Sequence, residues 1–343
     1  MDSLSQIALG AAVGVAVMGQ RTARTAVWKA ALWGAVAGTL PDLDVLIDHG
    51  DPVRNMVLHR AETHAPFWLT LFSLPMAALA AWLSGDWANR ALRWRWWLAI
   101  WLALVTHPML DAFTVYGTQL GLPFSNHPYG LGSVFIIDPS YTLPLLLGTA
   151  WALAGRGSGW GLRANVAGLA ISSAYLGWGL LAQQHVATVA RSALAAQGIV
   201  ADRLLVTPAP LTTLLWRVVA VQADAYHEGF RSLLDTGPQM VFDRFPRGTA
   251  LWPAVSGMDG AQRIAAFSHG LYKLDVVAGQ LRISDLRMGQ EPNYVFTFAL
   301  AQQQAGAWVP LAVPVQQGAR VDVGRAWAWL WRRALGQPVA PPR

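Results

Sequence analysis

Cysteine is absent from the 343 residues. That excludes a disulfide framework, a thiolate zinc site and a thiol nucleophile. Charge is scarce too: Asp, Glu, Lys and Arg make up 13% of the chain, about half the ~25% of an average soluble domain. With 54% hydrophobic residues and 18 Trp, such a composition excludes disorder and a charge-laced coiled coil. The net charge of +6 points to nucleic acid only if the basic residues gather on one water-facing patch. They are dispersed, so no nucleic-acid partner is expected.

The charge is unevenly spread. Residues 1–182 hold 10 basic and 9 acidic residues, whereas the remaining 161 hold 15 and 10. Within the first part lie six apolar runs: Leu4–Met18, Ala26–Leu40, Pro66–Leu83, Trp94–Thr106, Tyr141–Ala154 and Ala164–Ala182. A spanning helix needs about 20 apolar residues, and runs of 10–14 suit a buried soluble core equally well. Six clustered runs with Trp94, Trp96, Trp97 and Trp101 at an edge favour a bilayer with interfacial aromatic belts. The expected fold is therefore a polytopic α-helical membrane domain of about five or six helices over 1–182. A small α+β domain facing water follows over 183–343.

Eight of the ten basic residues sit at alternate junctions: Arg21, Arg24 and Lys29, then Arg90, Arg93 and Arg95, then Arg156 and Arg163. The positive-inside rule places those junctions in the cytoplasm. The N-terminus, 41–65, 107–140 and everything after Ala182 then face outward, at the inner (plasma) membrane. The same assignment collects Asp2, Asp42, Asp44, Asp48, Asp51, Glu62, Asp111, Asp138 and every His on the outer side. Acids barely influence topology, so their collection on one side suggests a cation site. The acidic start Met1-Asp2-Ser3 argues against a cleavable signal peptide.

Three segments carry the candidate chemistry. Pro41-Asp42-Leu43-Asp44 ends the second run and presents two carboxylates, which could equally cap a following turn. His59-Arg60-Ala61-Glu62-Thr63-His64 places two imidazoles five apart just before the third run. His107-Pro108-Met109-Leu110-Asp111 ends the fourth run, with His107 and Asp111 at the i, i+4 spacing that shares a helix face. Pro108 disfavours helical backbone at His107 but suits a fresh first turn. Each segment alone fits an ordinary hydrogen-bonded loop as well as a metal. Together, Asp42, Asp44, His59, His64, His107 and Asp111 form a candidate donor set for one or two divalent metals. Nitrogen and carboxylate donors without thiols suit Zn, with Mn or Fe as alternatives. Asp2 and Asp138 are further carboxylates on that side.

On these residues the chain resembles the YdjM-like family of membrane-bound, predicted metal-dependent hydrolases. The resemblance begins at Met1-Asp2-Ser3-Leu4-Ser5-Gln6 with Gly10 and Gly14. It continues through Pro41-Asp42-Leu43-Asp44, His59-Arg60, Thr63-His64 and His107 to Asp111, with Thr114, Tyr116 and Gly117. Pro123-Phe124-Ser125 and Ile137-Asp138-Pro139 complete it, over roughly residues 1–180. It implies that the His and Asp residues ligate metal and hydrolyse an ester or phosphoester. Ser5-Gln6 replaces the Thr-His of many relatives, so a potential N-terminal His ligand is missing. Ala61-Glu62 also departs from the family pattern, and Glu62 is expected to be solvated.

After Gln183 the texture changes. Gln184–Gln197 reads as a helix stopped by Gly198. Trp216–Val221 and Tyr226–Leu234 read as a β-hairpin, and Leu271–Val277, Gln280–Leu286 and Tyr294–Ala301 as further strands. Ser268-His269 is expected to be structural, because chain neighbours seldom face one another. Arg325–Arg333, with three Trp, fits either a membrane-surface helix or one packed on its own domain.

The expected function is metal-dependent hydrolysis of a phosphoester or lipid-linked substrate at the outer membrane face. Metal-activated water is the nucleophile, Arg60 the phosphoryl clamp, and Asp44 or Asp138 the proton acceptor. The bilayer and a small-molecule or lipid substrate are the expected partners. The alternative is a non-enzymatic, metal-stabilised scaffold whose outer domain binds a partner. A transporter needs ionisable groups at mid-membrane depth, and here they fall at the ends of the runs.

Overall fold

The structure, a computed structural model, describes residues 1–19, 27–318 and 322–343. Each apolar run, over nearly all its described residues, lies in a helix: α1 (Ser3–Met18), α2 (Val27–Thr39), α4 (Pro66–Ser84), α5 (Arg90–Asp111), α6 (Pro139–Ala154) and α7 (Gly159–Ala196), with the short α3 (Pro52–Leu58) between the second and third. The sixth run and the expected helix after it are one continuous element of 38 residues. Arg21 and Arg24, which the topology argument used, lie outside the described residues.

Five or six spanning helices is a reading the structure corrects to two candidates. Among the described residues only α4 and α7 are long and apolar enough to cross a membrane. Helices α1 and α6 have 16 residues and α2 has 13. At about 1.5 Å per residue they fall short of a ~30 Å hydrocarbon core. Helix α5 has 22 residues, but Arg90, Arg93 and Arg95 charge its first two turns. In the apolar stretches of α4 and α7 only 33% and 22% of residues are buried by protein. A core helix of a soluble domain would be mostly covered, so their bare apolar sides fit lipid.

Two compact units form: 1–46 with 60–179, and 47–59 with 180–343. In the first, α1 and α2 cross through glycines four apart on both helices, Gly10 and Gly14 against Gly34 and Gly38. A Cβ on Gly38 would stand 2.6 Å from the Gln6 carbonyl oxygen and 3.0 Å from the Gly10 Cα. Backbones approach this closely only where no side chain intervenes. Around the crossing, Ala8, Ala12, Ala30 and Ala37 join Trp96, Ile100 and Leu104 of α5 in one core. Gly34→Ala drives a methyl into the backbone of Gly10 and is expected to cost about 1–3 kcal/mol, the usual penalty for overpacking. Gly177→Ala, which meets open space, serves as the neutral control in thermal unfolding.

The second unit is α+β. Strands β1 (Arg203–Pro208), β2 (Leu215–Val221), β3 (Ala225–Ser232) and β4 (Phe242–Pro246) form one antiparallel sheet in sequence order. After α8 (Trp252–Val255) and α9 (Asp259–Phe267), a second sheet takes the order β10-β9-β6-β5. Its strands are β5 (Tyr272–Val277), β6 (Gln280–Asp285), β9 (Thr297–Gln304) and β10 (Ala307–Gln317). A two-residue pair, β7 (Gly289–Gln290) with β8 (Asn293–Tyr294), lies between β6 and β9. The hairpins read from the sequence are β2–β3 and β5–β6, while β1, β4 and β10 were not legible there.

Ala182, Val186 and Ala190 from the end of α7 cover Val206, Trp216 and Val218 of the first sheet. The long helix thus carries its own C-terminal half into this unit's core. Helix α10 (Val323–Ala334) buries Trp329, Leu330 and Ala334 against Ala209 and Leu215, while Trp327 stays exposed. His269 ends α9 in left-handed backbone (φ 54°), and Ser268 spends its hydroxyl on the Ala265 carbonyl. That is the structural role expected of the pair.

Candidate metal centre

Four side chains from three stretches of the first unit meet. Helix α2 stops at Thr39, and Leu40–Leu46 continues as a tight 3-10 turn. Three residues per turn separate the directions of positions two apart, so Asp42 and Asp44 do not point alike. A second short 3-10 turn, Glu62–His64, exposes Glu62 and buries His64. Helix α5 runs through Pro108 without restarting, which puts His107 and Asp111 on one face.

Asp42, His64, His107 and Asp111 each offer a donor atom within 4.8 Å of all the others. The His64 and His107 Nε2 atoms are 3.1 Å apart. Asp42 Oδ1 lies 3.4 Å from both nitrogens, and Asp111 Oδ2 lies 3.3 and 3.4 Å from them. A tetrahedron of donors about 2.0–2.1 Å from a central ion has edges of roughly 3.3–3.4 Å. Four edges of this group match that value, and the edge between the two Nε2 atoms is slightly shorter at 3.1 Å. His64, His107 and Asp111 are fully buried, and Asp42 alone is open, with 16% of its side chain exposed. Asp111 Oδ2 is buried with no hydrogen-bond donor of its own, a costly state for a carboxylate oxygen unless a cation serves it. The residues fit a divalent metal.

Residues 1–186 match the YdjM inner membrane protein family. The chain belongs to that family. No curated protein and no solved structure matches it significantly, so the roles of residues in this YdjM-family chain rest on its own geometry. The match covers every residue of the four-donor group and, of the second unit, only 47–59 and 180–186.

The layer behind the donors fixes how they point. His107 Nδ1 donates to the Gly38 carbonyl at 2.6 Å, which leaves its Nε2 lone pair facing the centre. His64 Nδ1 lies 3.0 Å from Thr63 Oγ1 and 3.4 Å from Asp44 Oδ2. Asp44 Oδ2 also accepts from Thr63 Oγ1 at 2.7 Å and from the Arg60 amide at 3.0 Å. Asp44 therefore sits behind His64, outside the four-donor group. Such partners set the tautomer and basicity of a ligating histidine. Asp44→Ala is expected to weaken ion binding about 10–100-fold without abolishing it, as read by competition with a chelating dye.

Gln6 of α1 reaches the cluster. Its amide nitrogen donates to Asp111 Oδ1 at 3.1 Å and to the His107 carbonyl at 3.3 Å, so position 6 lines the cluster as a hydrogen-bond donor. The Met1 amine is a further partner of Asp111 Oδ1. Arg60 is buried in left-handed backbone, with φ 67°, a conformation that costs a non-glycine residue about 1–2 kcal/mol. Its guanidinium reaches Thr114 Oγ1 at 3.3 Å and Asp111 Oδ1 at 3.4 Å, and lies 4.9 Å above the Tyr116 ring. Its Nε has no hydrogen-bond partner.

The other candidates lie elsewhere. His59 caps the C-terminus of α3 in the second compact unit and is not one of the four donors. Asp138 caps α6, accepting from the Ser140 amide and the Tyr175 hydroxyl at 3.0 and 2.8 Å. Asp2 caps α1. Gly38 was not singled out from sequence, and Thr63 and Gln6 were noted only within the family pattern, not as partners of the donors. The glycine spacing on α2 was the available signal for Gly38, and the Thr-His pairing the signal for Thr63.

Proposed function

We propose that the chain is a metal-dependent hydrolase that cleaves a phosphoester or lipid-linked substrate at the outer face of the inner membrane. The observation that carries this reading is the near-tetrahedral spacing of two Nε2 and two carboxylate oxygens beside a buried arginine. His64, His107, Asp42 and Asp111 hold the divalent ion, with Zn first by donor chemistry and Mn or Fe next. Such an ion supplies an acidified water and a Lewis acid for the scissile oxygen. Asp42 forms the open edge where a substrate oxygen enters. Arg60, with an unspent Nε, is placed to hold a phosphoryl oxygen. Asp44 keeps His64 in the ligating tautomer. Lys29, Arg90, Arg93, Arg95, Arg156 and Arg163 support placing the opposite side in the cytoplasm.

The test is turnover by the purified chain, with Zn or Mn restored, on phosphodiesters and lipid phosphates. Activity that needs the ion and is lost in Asp111→Asn supports hydrolysis. One observation favours a second reading. Four protein donors already complete a tetrahedral shell, which is typical of structural zinc. Stoichiometric ion, stability that depends on it and no turnover would establish a metal-stabilised scaffold instead.

A further inference from the structure

A substrate has to reach a centre that is almost sealed. Three of the four donors are fully buried, so the reactive group must arrive at Asp42. The residues beside it in the chain are bare and greasy. Leu43 is 50% exposed, Val45 71% and Leu46 79%. The turn bearing Asp42 is tied to the turn bearing His64 through Asp44 and Thr63, and that second turn opens directly into α4. There Phe67 and Trp68 are 42% and 41% exposed. Phe124, 83% exposed, meets the Phe67 ring edge-on at 5.6 Å. A water-borne phosphoester needs no such approach. Exposed apolar groups gathered at one place on a protein mark an interaction surface.

The surface continues along α4, whose apolar stretch is two-thirds unburied and long enough to cross a bilayer. That continuity identifies the occupant. We propose that the substrate is a membrane-resident phospholipid-type ester. Its acyl or prenyl chain lies along Leu43, Val45, Leu46, Phe67, Trp68 and Phe124, while its headgroup phosphate reaches the ion at Asp42. The proposal rests on the hydrolase reading for the reaction. The lipid contact itself stands apart from it.

Because the chain has no cysteine, Leu46→Cys and Phe124→Cys can each carry one environment-sensitive fluorophore on the full-length protein in vesicles. Brominated phosphatidylcholine should quench both labels strongly, and aqueous iodide weakly. A label at Glu62→Cys should show the reverse. Iodide quenching of the two apolar positions, or shielding from both quenchers by a protein partner, overturns the proposal.

The second arm compares long-chain phosphatidic acid in vesicles with soluble bis(p-nitrophenyl) phosphate. Leu46→Asn with Phe124→Asn should lower the long-chain to soluble turnover ratio at least tenfold. An unchanged ratio also overturns the proposal. Should neither substrate turn over, hydrolysis fails and the quenching arm alone decides the lipid contact.

Discussion

His107→Ala is expected to strip the chain of its divalent cation. One of four donors is removed, and loss of a supporting partner already costs 10–100-fold in affinity. Loss of the donor itself should therefore cost on the order of a thousandfold or more. Metal analysis of the purified protein should find about one ion per wild-type chain and none above background in the variant. Stability should follow. An ion present at about 1,000 times its dissociation constant stabilises the folded state by about 4 kcal/mol. Chelation should lower the unfolding temperature of the wild type and leave that of His107→Ala where it is. His59→Ala, altering a residue outside the four donors, should keep both the ion and the response to chelator. Equal metal content in wild type and His107→Ala would mean that the four residues do not hold the ion.

Much of this centre was legible because the sequence carries its chemistry in short spacings. His107 and Asp111 sit at a helical interval, and both donors of that segment are used. The pair Asp42 and Asp44 was visible, but a run of residues does not say which carboxylate turns inward. That was decided by the 3-10 geometry after Thr39, which aims Asp42 into the four-donor group and Asp44 at Thr63 and the Arg60 amide. His59 and His64 were indistinguishable as imidazoles. The α3 helix ends at His59 and carries it into the other compact unit, while the next turn buries His64. Apolar runs gave the helix positions well and their depth badly, since hydrophobicity does not separate a short helix packed through glycines from one that spans lipid. The β-hairpins around 222–225 and 278–279 announced themselves through turn residues. The edge strands β1, β4 and β10 did not, although their partners are close in sequence, because each carries proline (Pro208, Pro246, and Pro310 with Pro314), which demotes a strand reading.

Ion binding is expected to strengthen steeply with pH. Burial alone would pull the His64 imidazolium down from its ordinary value near 6.5, but the carboxylates of Asp111, Asp42 and Asp44 override that and raise it to about 9. Asp42 shows the matching effect. Burial pushes its carboxyl up, and hydrogen bonds to His107 and His64 outweigh this and hold it below the usual carboxylate range. The ion-free chain therefore carries a proton on His64 at neutral pH, and a cation must displace it. Where one proton leaves per ion bound, affinity changes tenfold per pH unit. Between pH 6 and 9 the gain is roughly a thousandfold, and it levels off above about 9.

The sign for the ion-free chain is opposite. A raised imidazole contributes stability fully below about 6.5 and loses it as pH climbs through 9. The gap in unfolding temperature between loaded and chelated protein should accordingly widen from pH 6 to pH 9. Calorimetric titration at pH 7 in buffers of different ionisation enthalpy should count about one proton released per ion. A proton count of zero, with affinity flat across that range, would mean that His64 meets the ion already neutral and that the carboxylates around it do not hold the proton.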